Sequence, residues 1–220
     1  MKPIFVSGIG TGIGKTLISA VITEAIHADY WKPVQAGLAP ETDRERLGSM
    51  ISNPESIIHP ETYIFSLPAS PHISAKKENK KISLRRIVED YEQMDSRRPL
   101  VIEGAGGLMV PLNEKEFVID LVKALDARLV LVSRNYLGSI NHSLMTAAIC
   151  RSHRLNVAGW IFNDQYMDYA QEIAGWSGLP ILFTMPKLDT LSKNTIAEAG
   201  RRFEGSCRKA LLPGSSHPGE

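Results

Sequence analysis

The chemistry available to this chain gathers around two lysines, one threonine hydroxyl and a few acids, most of them next to glycine. The first cluster reads Gly8-Ile9-Gly10-Thr11-Gly12-Ile13-Gly14-Lys15-Thr16. Glycines let a backbone turn tightly and aim successive N–H groups at one anion. A helix that opens near Lys15 adds its positive end. Lys15 can then reach β and γ phosphates, and the Thr16 hydroxyl can ligate Mg²⁺. The spacing is GxxxxxGKT, one residue longer than the common phosphate loop, and the dinucleotide pattern GxGxxG fails because its third glycine would fall on Ile13.

A second lysine lies in Trp31-Lys32-Pro33-Val34-Gln35-Ala36-Gly37. An ammonium set in an apolar strand calls for a counter-charge such as a phosphate or carboxylate, because burying it alone costs several kcal/mol, on the order of 3–5. For the metal, Glu103 closes the apolar run Leu100–Glu103 and opens Gly104-Ala105-Gly106-Gly107. An acid at the carboxyl end of a strand suits a magnesium ligand, which takes one or two carboxylates plus water and phosphate. Asp43 is the second candidate, and sequence alone does not separate it from Glu41 or Glu45.

These residues need a scaffold that brings several strand ends together. Apolar runs at 3–7, 30–34, Leu100–Glu103, 129–133, 157–162 and 180–183 read as strands without alternation. Helical spacing runs through 15–27, 83–94, 117–125, 140–153 and 167–175. The pattern predicts a three-layer α/β domain over 1–210, a mostly parallel sheet flanked by helices in the manner of P-loop NTPases. Ligands in such sheets bind beyond the carboxyl ends of the strands. The polar stretch 37–70 is expected to surround the site with short helices, and 211–220 to be a flexible tail. A length of 220 residues suffices for one full core, and a net charge of +1 gives no footprint for nucleic acid. Two cysteines exclude a disulfide framework, and Cys150 reads as core. With neither a leader pattern nor a run of roughly 18 apolar residues, the expected location is the cytoplasm, away from membranes.

Taken together, the clusters resemble the dethiobiotin synthetase family. GIGTGIGKT resembles its loop GTDTxVGKT, and WKPVQAG its YKPVxSG. SPHIS at 70–74, EGAGGLMVPL at 103–112, LGSINH at 137–142 and GWIFND at 159–164 follow in the family's order. The resemblance implies ATP and Mg²⁺ as cofactors, with catalytic roles for Lys32, Lys15 and Thr11. It places nucleotide at Gly12, Ile13, Gly14, Lys15, Thr16, Leu17, Asp43, Glu103, Asn163, Asp164, Pro186, Lys187 and Leu188. Of these, Thr16, Asp43 and Glu103 would hold the metal, and Asn163 would read adenine. Substrate would meet Ala36, Pro71, His72, Gly106, Gly107 and Val110. Gly138, Ser139, Ile140 and Asn141 would come from the neighbouring subunit of a homodimer.

The implied reaction is a cyclo-ligation: 7,8-diaminononanoate and CO₂ become dethiobiotin through a carbamate and a carbamic-phosphoric anhydride. Positioning, two lysines and a metal suffice for it, so no Ser/His/Asp arrangement is expected, and His72 and His142 read as loop and cap residues. Gly10, Gly12 and Ala36 depart from the family pattern, and the region after Pro186 matches it loosely. The main rival is a nucleotide-switch ATPase of similar fold, which leaves WKPVQAG and EGAGGLMVP without a task. A cobyrinate-type amidoligase would commonly need a further glutaminase domain.

Overall fold

The computed structural model describes residues 1–94, 97–164, 167 and 169–212. In chain order these form β1 (Ile4–Gly8), α1 (Lys15–Ile26), β2 (Asp29–Trp31), β3 (Val34–Ala36), α2 (Asp43–Met50) and β4 (Ile58–His59). There follow β5 (Tyr63–Phe65), α3 (Pro71–Lys77), α4 (Leu84–Glu92), β6 (Leu100–Glu103), α5 (Val118–Ala124) and β7 (Arg128–Arg134). The chain continues as α6 (Ser139–Ser152), β8 (Val157–Asn163), α7 (Ala170–Ser177), β9 (Ile181–Met185) and α8 (Lys193–Leu211).

Seven strands form one sheet in the order β4-β2-β6-β1-β7-β8-β9, with every neighbouring pair parallel. All five residues of β1 are buried, as a central strand covered on both faces requires. One apolar layer joins the sheet to α1 and α8 through Ile18, Val21, Ile22, Ile196 and Phe203. Phe203 stacks on Phe183 of β9 at 4.2 Å between ring centroids. The other layer joins the opposite face to α5, α6 and α7 through Val118, Leu121, Ala147 and Ile173. The three-layer α/β reading therefore holds.

Two differences from the sequence reading bear on the site. The run 30–34 is not one strand: it breaks at Lys32 and Pro33, where proline supplies no N–H to a ladder. β2 stays in the main sheet, while β3 leaves it and pairs in parallel with β5. The break releases Lys32 from strand geometry at the sheet's carboxyl edge. The sequence reading also passed over α8, whose Ile196, Ala199, Phe203, Cys207 and Leu211 form a buried stripe behind an Ser192 cap. That helix runs through Leu211, so the expected tail loses its first residue to the core, and 213–220 lie outside the described residues.

Candidate active site

Three strand ends meet beside α1. β1 leads into the glycine loop, β6 ends in Glu103, and the chain leaving β2 carries Lys32. A cavity of about 660 Å³ opens there, lined by Lys15, Thr16, Lys32, Asp43, Glu103, Thr11, Gly12 and Gly14, among others.

The loop's glycines do what their type allows. Gly14 has φ 94°, and a Cβ there would lie 2.0 Å from the Asn163 amide nitrogen, so no other residue fits. Asn163, at the end of β8, donates to the Ile13 carbonyl at 2.9 Å. Its amide thus braces the loop. A Cβ on Gly107 would lie 3.0 Å from the Gly8 carbonyl oxygen, which is how the loop after β6 packs against the phosphate loop.

The charged groups form one connected set. The Thr16 hydroxyl lies 2.7 Å from Asp43 Oδ1 and 3.0 Å from Glu103 Oε1. Lys32 is 7% exposed and makes ion pairs with Asp43 and with Glu103, the latter at 3.2 Å. Burial pulls the Lys32 ammonium down, but Glu103 and then Asp43 outweigh it and hold its pKa above the usual lysine value. Burial likewise disfavours the Asp43 carboxylate, yet Lys32 and the Thr16 hydroxyl bring its pKa below the usual range. Lys15 donates to the Gly10 carbonyl at 2.6 Å. Burial lowers its pKa to about 8, with Glu103 opposing and Lys32 adding to the fall. An anion beside Lys15 would restore its full charge.

The fold separates the three acids that sequence left open. Thr42 caps α2, and its N–H and hydroxyl both bond Glu45 Oε2, at 2.8 and 2.9 Å, in a capping box. Glu45 is thereby committed to the helix start, Glu41 is exposed, and Asp43 turns toward Thr16. Hydroxyl and carboxylate oxygens are the donors that Mg²⁺ takes. Among the described residues no three His, Cys, Asp or Glu side chains are grouped so as to hold a metal ion by themselves. The Thr16 hydroxyl and the Asp43 and Glu103 carboxylates, with phosphate and water, would make a donor set that fits magnesium.

Other expected residues are placed as follows. Leu17, Ala36, Pro71, Gly106 and Val110 line the same cavity. His72 sits next to Pro71, its ring nitrogen 3.0 Å from the Ser70 hydroxyl. A second cavity of about 690 Å³ holds Thr11, Gly12, Ile13, Asp164 and Lys187, and Asp164 pairs with Arg134 at 3.1 Å. Pro186 is partly buried after β9, and Leu188 packs on the α1 side of the core. Gly138, Ser139, Ile140 and Asn141 stand apart at the start of α6 and do not line the main cavity of their own chain. The Ser139 hydroxyl bonds the Tyr169 phenol at 2.8 Å, and Asn141 is exposed. Sequence reasoning missed Arg46, Pro68 and Ala69 on the cavity wall. It also missed Tyr30, completely buried, whose hydroxyl donates to Glu103 Oε2 at 2.9 Å. The available signal was a phenol in the middle of an apolar strand, which must find a partner.

A parallel sheet whose central strand feeds a GKT loop, with a strand-end acid next to the loop threonine, defines a P-loop nucleotide-binding protein. Solved structures agree on the fold: a ParA family ATPase of Chlorobium tepidum superposes with TM-score 0.56 at 18% identity, covering 97% of this chain and 93% of that one. The cell-division protein MinD of Aquifex aeolicus gives 0.56 at 15% identity with full coverage of both. At such identities the likeness concerns the fold alone. A family profile described as an AAA domain matches residues 2–195. The ATP-dependent dethiobiotin synthetase of Cytophaga hutchinsonii is 41% identical over 89% of this chain and 94% of its own length. That of Paramagnetospirillum magneticum is 38% identical over 90% and 94%. The chain belongs to the dethiobiotin synthetase family.

Proposed function

We propose that this chain forms dethiobiotin from 7,8-diaminononanoate and CO₂ with cleavage of ATP, as a ligase of biotin biosynthesis. The observation that carries the chemistry is the joining of Thr16, Lys32, Asp43 and Glu103 at the floor of one cavity beside Lys15. Membership of the synthetase family supplies the substrates.

Thr16, Asp43 and Glu103 would hold magnesium, which when bound offsets negative charge on the nucleotide's phosphate oxygens. The loop N–H groups and Lys15 bind and orient the β and γ phosphates. Lys32, on the wall of the same cavity, would hold the carbamate formed on one substrate amine by its ammonium. A carbamate oxygen bonds to the γ-phosphorus while the β–γ bridging P–O bond breaks and ADP leaves. The second amine then bonds to the carbamoyl carbon, the C–O bond to phosphate breaks, and phosphate departs as the nitrogen loses a proton. No side chain needs to form a covalent bond, so alignment and charge carry the catalysis.

The working unit in this reading is a homodimer. Residues 138–141 lie outside their own chain's main cavity, Leu137 is fully exposed, and Gly138 starts α6 without a side-chain cap. The N-terminus of α6 from a second copy would receive the substrate carboxylate on its open N–H groups. Dependence on ATP and small metabolites sets the reaction in the cytoplasm, and no helix among the described residues is long and apolar enough to cross a membrane.

The test is phosphate release from Mg–ATP with and without diaminononanoate and bicarbonate, with the product identified by mass. Release that requires both co-substrates and yields dethiobiotin is expected. Release indifferent to the diamine would replace this reading with a nucleotide-switch ATPase.

A further inference from the structure

β2 and β6 run side by side, with Tyr30 in register with Val101. Glu103 is two residues further along β6, on the same face as Val101, because side chains alternate along a strand. A tyrosine is long enough to cover that diagonal offset, and its hydroxyl reaches Glu103 Oε2 at 2.9 Å. The ring is wholly buried in the α1-side core with Val6 and Val101, and Glu103 is 1% exposed. The two oxygens of Glu103 therefore have different surroundings. Oε2 accepts from the Tyr30 phenol, while Oε1 faces Thr16 at 3.0 Å and Lys32 at 3.2 Å. A carboxylate free to rotate could offer either oxygen, or both, to the cavity. With one oxygen captured, its plane is set.

We propose that Tyr30 is a positioning residue for the magnesium site: its phenol captures Oε2 of Glu103 and so presents Oε1 toward Thr16 and a metal bound there. This rests on Thr16 and Glu103 serving as metal ligands, as proposed above. Partners that orient metal-binding groups commonly change metal affinity by roughly 10–100-fold when removed. Tyr30 does not line the cavity and acts through Glu103.

The test measures ADP affinity by calorimetry, with saturating Mg²⁺ and with EDTA, in wild type and Tyr30→Phe. Phenylalanine keeps the ring in the core, and a cooperative melt checks the fold. The expected result is a roughly tenfold loss of affinity in Mg²⁺ and an unchanged affinity in EDTA. Equal losses in both conditions would show a structural role only, and no loss in either would also overturn the proposal. If wild type itself binds ADP equally with and without Mg²⁺, the metal reading fails, which is a separate result. Should Tyr30→Phe not melt cooperatively, the pair Tyr30→Phe/Glu103→Gln leaves no bare buried carboxylate and is compared with Glu103→Gln. Equal Mg²⁺ dependence in those two is expected, and a further loss in the pair would overturn the proposal.

Discussion

The carboxyl edge of the sheet carries two regions built in opposite ways. Beside β1, β2 and β6, two lysines and two acids are packed against one another, and Lys32 and Glu103 are almost wholly buried. Beside β7, β8 and β9, the charged residues Arg134, Asp164 and Lys187 border a more open cavity, and Leu137 next to them is fully exposed. In the first region Lys32 pairs with both acids, Lys15 donates to a loop carbonyl, and each carboxylate oxygen near Thr16 has a donor. The second presents a helix start and an apolar side chain that none of the described residues covers. Chemistry that develops charge needs the first kind of surroundings, because fixed dipoles act strongly where water is excluded. Recognition that brings in a flexible substrate can use the second.

The largest expected effect is in the first region. Lys15→Ala should lower the rate of dethiobiotin formation by roughly 10²–10³-fold, the usual consequence of removing one group that stabilises transition-state charge. Stability should change little, since Lys15 bonds only a loop carbonyl in this structure. A rate within a factor of three of wild type would remove the charged cluster from the mechanism. Lys32→Met tests the same cluster through folding. It leaves Asp43 and Glu103 side by side without their cation, so the melt should report a loss of about 3 kcal/mol, the lower end for breaking a buried pair. An unchanged melting temperature would mean that the pairs are spectators.

In the second region, Leu137→Asp should leave the melt of the single chain within about 0.5 kcal/mol, as for an exposed site. It should shift sedimentation toward the monomer and reduce turnover at low protein concentration. Unaltered assembly would place the second copy elsewhere. The smallest effect concerns the segment that walls the first cavity. Glu78 accepts from the Ser66 N–H at 2.8 Å and from Lys80 at 2.9 Å, fastening the end of α3 to the chain after β5. The Ser66 N–H, then Lys80, bring its pKa down to about 2. Because the folded value lies below the ordinary 4.5, this stabilisation is full above pH 4.5 and fades as pH falls toward 2. The difference in melting temperature between wild type and Glu78→Gln should therefore shrink on acidification across that window. A constant difference would assign the contact to packing.

The same contrast explains what could be read from the residues alone. Gly14, Lys15 and Thr16 are local: their chemistry follows from neighbours in sequence, so type and spacing reveal them. Glu103 is nearly so, since a strand end and a glycine run mark it. The choice of Asp43 over Glu41 and Glu45 depends on a capping box and on a threonine 27 positions away, which no spacing rule contains. Asn163 bonds Ile13 across 150 positions, and its bracing of the loop is a fact of the sheet order. The break at Pro33 was readable from proline's missing N–H, but the apolar character of 30–34 hid it. The α8 stripe was readable too, diluted by the arginines and glycines between its apolar positions. Gly138 to Asn141 were singled out by family resemblance, and nothing in their residue types would have done so.

The claim at the centre of this account is that the γ-phosphoryl group passes to an oxygen of the carbamate and not to water. Turnover with ¹⁸O-labelled bicarbonate, quenched before the label exchanges with solvent, reads this in the mass of the phosphate released. The account predicts phosphate carrying one labelled oxygen for each dethiobiotin formed. Unlabelled phosphate, with label lost only to solvent, would show water as the acceptor and contradict it.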